Sequence, residues 1–201
     1  VTLDGRDISG KTPHARSRLG LRRSFQDVEL YDDLTVAENV AVGAARSRSQ
    51  ISAGDRIART LSMLGLAEMA EAEVASLSQG QRQLVSVARL LVSEPLVALL
   101  DEPAAGLDST ESRWLGVKLR AVRDAGTAIL LVDHDMELVL TVCDRVVVLD
   151  LGTVIASGTP EEVRSHPEVL RAYLGVPADA VADPAEAIPE LHAPTLTPQE
   201  A

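Results

Sequence analysis

Leu96-Val97-Ala98-Leu99-Leu100-Asp101-Glu102 is the stretch that decides the fold. Its apolar run is too short for a helix and is apolar on both faces, as a strand buried inside a parallel sheet is. It ends in two adjacent carboxylates. In open α/β sheets, ligands bind beyond the carboxyl ends of the strands. Asp101 in that position suits a Mg²⁺ ion held through water, and Glu102 suits orienting and deprotonating an attacking water. On these residues alone, a second reading stands level with the first: Asp-Glu simply opens a solvated loop.

Working outward, Ala128–Val132 and residues 145–149 repeat the doubly apolar pattern, and residues 153–156 form a fourth strand candidate. Helical stretches lie between them. Leu84, Val87, Ala88 and Leu91 fall at i, i+3, i+4 and i+7, as do Leu115, Leu119 and Val122 in part, with Pro95 and Gly126 as stop signals. Alternating strands and helices predict an α/β fold with a largely parallel sheet. Residues 30–75 differ. They show helical periodicity over 35–45 and 53–64 and no strong strand, which predicts a helical insertion.

Composition narrows the function. The chain has 201 residues, 46% apolar and 24% charged, with a net charge of −11. That balance argues against a nucleic-acid partner, which requires a cationic face. A single cysteine, Cys143, excludes an intramolecular disulfide and fits a reducing compartment. No apolar run approaches the roughly 20 residues of a membrane span, and no signal peptide is evident. Residues 176–201 hold five Pro, seven Ala and five acidic residues with no Lys or Arg, a composition that predicts disorder. The chain opens on Val1, as expected of a sequence that begins inside a longer protein or at an unusual start codon.

A second motif is Leu77-Ser78-Gln79-Gly80-Gln81, directly before the helix at 84–91. Ser and Gly at a helix start offer a hydroxyl and free amides to an anion, although on this motif alone a plain N-cap, with Ser78 satisfying orphan amides, is the favoured reading. The order of motifs is more specific than any one of them. Leu-Ser-x-Gly-Gln, an amphipathic helix, a strand ending in Asp-Glu-Pro, and then Gly106-Leu107-Asp108 resembles the ATP-binding subunits of ABC transporters. Gln26 resembles the Q-loop glutamine and His134 the H-loop histidine of that family. The resemblance covers residues 1 to about 175. It implies a P-loop NTPase-like ABC ATPase fold with a helical subdomain, and ATP and Mg²⁺ as cofactors.

The resemblance also implies roles. Asp101 and Gln26 would belong to the metal shell and Glu102 would be the general base. His134 would bond the γ-phosphate. Ser78, Gly80 and Gln81 would reach the ATP of a second ATPase subunit in a homo- or heterodimer, and Asp108 would link the two sites. Transmembrane permease subunits would meet Gln26 and the helical region, with Phe25 and Tyr31 read equally as contacts there or as satellite core residues. The subunit would lie peripherally on the cytoplasmic face of the membrane.

Glu102-Pro103-Ala104-Ala105-Gly106-Leu107, Asp133-His134-Asp135-Met136 and Gly152-Thr153-Val154-Ile155-Ala156-Ser157-Gly158 resemble most the branched-chain amino acid importer ATPases. The expected organisation is a remnant of the catalytic part over 1–29, a helical subdomain with the signature over 30–95, a catalytic core over 96–175 and the acidic tail over 176–201.

The family's Walker A loop, Gly-x-x-x-x-Gly-Lys-Ser/Thr, joins a buried strand to a helix. The string Gly5-Arg6-Asp7-Ile8-Ser9-Gly10-Lys11-Thr12 matches it letter for letter. Only four residues precede it, Pro13 follows it, and Gln26 comes 14 residues after Thr12, too soon for the intervening strands. The expectation is a coincidental match. A chain lacking the true loop and its strand would be an N-terminally truncated ATPase, or a non-catalytic subunit that completes a partner's ATP site.

Overall fold

The computed structural model describes residues 1–24, 29–45 and 50–174. Gln26, Phe25 and the acidic tail lie outside the described residues. The chain divides into two compact units, Val1–Asp135 and Met136–Ala201.

The first unit opens with a hairpin of β1 (Thr2–Leu3) and β2 (Arg6–Asp7), whose turn residues Asp4 and Gly5 both have positive φ. Helix α1 (Pro13–Arg18) follows, capped by the Thr12 hydroxyl. The sheet behind the candidate site has three parallel strands, β3 (Leu21–Arg23), β4 (Val97–Asp101) and β5 (Ala128–Val132), in that spatial order. Leu21 pairs with Val97, and Val97 with Ala128, so Asp101 stands opposite Val132. Helix α5 (Ser109–Asp124) makes the β4-to-β5 crossover and buries Leu115 and Leu119 completely.

Between β3 and β4 come α2 (Val36–Ala44), α3 (Ala53–Met63) and α4 (Gln79–Leu91); the first two fall in the two stretches of residues 30–75 read as helical. Val36, Val40, Val74, Leu64 and Val85 are fully buried there. The buried Asn39 carboxamide organises the turn before α2. It accepts from Tyr31 N–H at 2.9 Å and donates to the carbonyls of Tyr31 and Thr35 at 3.0 Å. Arg56 of α3 is buried, and its guanidinium donates to Ala44 O (3.0 Å) and Val92 O (3.1 Å), which terminate α2 and α4. A cation there faces the negative ends of two helix dipoles.

The second unit holds α6 (Met136–Val142), the hairpin β6 (Val146–Asp150) and β7 (Thr153–Gly158), α7 (Pro160–Arg164) and α8 (Pro167–Leu174). This corrects the expectation of a doubly buried parallel strand at 145–149. β6 pairs antiparallel with β7, Val146 and Val148 are buried, and Val147 and Leu149 are each 56% exposed. The cause is the two-residue turn Leu151-Gly152, both at positive φ, which reverses the chain at once. β5 departs from the expectation in a similar way. Leu130 (58% exposed) and Val132 (56%) project from one open face, and among the described residues β5 pairs only with β4.

Candidate functional site

The parallel register brings the ends of β3, β4 and β5 to one edge. Asp101 leaves β4 with its N–H bonded to Ser24 Oγ (3.0 Å) and its Oδ2 paired with the Arg23 guanidinium at 3.1 Å. About a third of that carboxylate is exposed, so it remains reachable. Among the described residues no three ligating side chains cluster for a metal. One carboxylate completed by water and phosphate oxygens is nevertheless an ordinary set for Mg²⁺, and Asp101 fits an ion that arrives with a nucleotide.

Glu102 takes the left-handed conformation, φ +46°. That costs a non-glycine residue about 1–2 kcal/mol. The surroundings enforce it: Glu102 N–H donates to Val132 O at 2.8 Å, and Gln83 Nε2 reaches Glu102 O at 3.4 Å. Gln83 is buried on α4, so the signature helix contacts the main chain of Glu102 directly.

His134 lies two residues beyond the end of β5 and is 75% exposed, with Nδ1 3.6 Å from Asp133 Oδ1. The Asp133 side chain is wholly buried. It accepts from Ala104 N–H (3.2 Å) and Asp135 N–H (3.0 Å). Asp101, Glu102 and His134 are thus brought to one end of the sheet.

Ser78, Gly80 and Gln81 form the start of α4. Ser78 Oγ accepts from Gln81 N–H at 3.2 Å, and Gln81 Oε1 accepts from Ser78 N–H at 2.9 Å, a complete capping box. Asp108 does the same for α5. Its Oδ1 accepts from Thr110 and Glu111 N–H, and its own N–H donates to Glu111 Oε2 at 3.0 Å. These two helix starts touch. A Cβ on Gly80 would come 2.8 Å from Glu111 Cδ, and one on Gly106 (φ +79°) would come 3.2 Å from Gln79 Cγ. Gly80 therefore has an internal reason to be glycine, the Glu111 carboxylate lying against it.

The string Gly5–Thr12 takes no phosphate-loop geometry. Arg6 and Asp7 are strand residues paired with Leu3 and Thr2. The amides that such a loop would leave for phosphate are used internally. Ile8 N–H donates to Val1 O, Ser9 N–H to Asp7 Oδ1 and Lys11 N–H to Ile8 O, at 2.9, 2.9 and 3.1 Å.

Nothing in the sequence alone singles out Gln83, Glu111 or Asp133. Asp133 lies within the Asp133–Met136 motif, but no local signal marks it as the buried anchor of two loops. Gln83 lies in the α4 pattern next to Leu84, where an apolar residue would pack equally well.

Comparison with known proteins identifies the family. Residues 1–105 match the ABC transporter family model, and residues 153–179 match the model for the branched-chain amino acid ATP-binding cassette transporter. The chain is 38% identical over 192 residues to the high-affinity branched-chain amino acid transport ATP-binding protein LivG of Salmonella typhimurium, covering 87% of this chain and 75% of that protein. It is 34% identical, with the same coverage, to BraF of Pseudomonas aeruginosa. Among solved structures, the ATP-binding cassette MJ1267 superposes with a TM-score of 0.74 at 24% identity, over 85% of this chain and 74% of that one. The chain belongs to the ATP-binding, ATP-hydrolysing subunits of the ABC transporter family.

Proposed function

We propose that this chain serves an importer of branched-chain amino acids, coupling ATP hydrolysis to transport from the cytoplasmic face of the membrane. One observation supports the ATPase chemistry above the rest: the register that sets Asp101 opposite Val132 delivers Glu102 and His134 to the same end of the sheet. The likeness of residues 153–179 to the branched-chain model supports the substrate class.

In this reading Glu102 accepts the proton of the attacking water and His134 holds the γ-phosphate. Asp101, with Gln26, serves the Mg²⁺ shell, and the ion when bound neutralises phosphate charge. Ser78, Gly80 and Gln81 face the ATP of a second ATPase subunit, and Asp108 joins the two sites. The permease meets the helical part. The test is uptake. Proteoliposomes carrying the assembled transporter should accumulate leucine, isoleucine or valine with ATP, and failure with all three removes the substrate assignment.

The hairpin geometry of Gly5–Thr12 supports a second prediction. Lys11→Ala should leave ATP affinity within about twofold of wild type, as titration by calorimetry would show. Loss of binding would make the string a working phosphate loop after all. The same geometry favours a second reading, in which the chain only completes a partner's ATP site. Mixed with an intact homologous ATPase, Ser78→Arg should then abolish the partner's stimulated turnover, because a bulky cation replaces the cap that faces the nucleotide. Unchanged turnover rejects that reading.

A further inference from the structure

The Asp133 carboxylate is the most enclosed acidic group at the sheet edge. Its side chain has no solvent exposure, yet it belongs to neither the proposed metal shell nor the proposed base. A buried carboxylate is costly unless hydrogen bonds satisfy it. Here its two oxygens are divided between two loops. Oδ2 accepts from Ala104 N–H, two residues beyond Glu102, and Oδ1 accepts from Asp135 N–H, one residue beyond His134. The Asp135 side chain is in turn anchored, accepting from the buried Ser112 Oγ at 2.6 Å on α5. Glu102 N–H to Val132 O closes the same corner from the main chain.

We propose that Asp133 is a positioning residue that clamps the loop carrying Glu102 to the loop carrying His134, so that the water-activating and phosphate-binding groups keep a fixed separation. The proposal rests on the ATPase reading of those two residues. The physical logic is that charge-assisted hydrogen bonds from main-chain amides are short and directional. A carboxylate with one oxygen on each loop therefore fixes their relative position as no apolar contact would. Misplacing a catalytic group by about 1 Å can cost on the order of a hundredfold in rate. The signature of such a misplacement is a fall in kcat larger than any change in KM for ATP.

The test uses the full chain in its assembled transporter, with Asp133→Ala and Asp133→Asn. Asp133→Asn keeps an acceptor for one of the two amides, so it serves as the partial rescue. Steady-state ATPase kinetics should show kcat down about tenfold or more in Asp133→Ala with KM for ATP within about twofold, and Asp133→Asn in between. Hydrogen–deuterium exchange on the isolated chain should show faster exchange at Ala104 and Asp135 in Asp133→Ala, without a general rise across β4 and β5. Equal kcat in all three proteins with unchanged exchange overturns the clamp. So does a loss of kcat that tracks a global rise in exchange, because it would make Asp133 a stability residue only. If the wild-type assembly turns over no ATP, the parent reading falls. Exchange at Ala104 and Asp135 then still decides whether Asp133 ties the loops.

Discussion

Glu102→Gln in the assembled transporter should lower ATP turnover by about a hundredfold or more while leaving ATP binding intact. A positioned general base contributes roughly 10²–10⁴ to rate. Glutamine preserves the size of the side chain and removes only its capacity to accept a proton. The fold has little reason to respond, because the bonds that hold this residue are made by its main chain. Its N–H meets Val132 O and its carbonyl accepts from Gln83. The left-handed φ of +46° is fixed by those same contacts and is equally demanding for either side chain. Single-turnover phosphate release separates chemistry from binding. Turnover that persists at the wild-type rate would place the base on another residue, and would match a chain whose own carboxylate is not used.

The elements that hold this site were legible in the sequence where the signal is local. The apolar runs of β4 and β5 gave their strands, and the i, i+3, i+4 pattern gave α4. Ser78 within its own motif reads better as an N-cap than as a ligand, and the structure makes it a cap through Gln81. The limits are physical. β3 contains Arg22 and Arg23, and a three-residue strand with two cations carries no apolar alternation. It is a strand because β4 pairs with it, a fact stored in another part of the chain. β6 reads as buried on both faces because Val146, Val147, Val148 and Leu149 are four apolar residues in a row. Only the turn at Leu151 and Gly152 sets its direction, and leucine at positive φ is not a residue that announces a hairpin. Asp133 and Glu111 were opaque for a related reason. Each matters through its partners, Ala104 and Gly80, which lie 29 and 31 residues away and are brought close only by the packing of β4, α4 and α5.

Gly43→Ala should destabilise the protein by about 3 kcal/mol, the opposite sign from the intrinsic helix scale. Inside a helix, alanine is favoured over glycine by about 1 kcal/mol, so α2 taken alone would be stabilised. The seam with α4 reverses this. A Cβ on Gly43 would collide with the Arg89 carbonyl oxygen, 2.8 Å from its carbonyl carbon and 2.9 Å from Val92 Cγ1. The obstacle is helix main chain, so no side-chain rotation relieves it and α2 must move away from α4. Overpacking of this kind costs about 1–3 kcal/mol. The movement also strains Arg56, whose guanidinium spans Ala44 O on α2 and Val92 O beside α4. Losing one hydrogen bond of a buried charged group adds about 1.5–3 kcal/mol. Urea denaturation should therefore show a lower midpoint at unchanged slope. The mechanism makes a further demand. In an Arg56→Met background the bridging bonds are already gone, so Gly43→Ala should cost measurably less than in wild type. Such non-additivity is expected for residues coupled through one backbone shift. Strict additivity would leave the clash standing and remove Arg56 from the account.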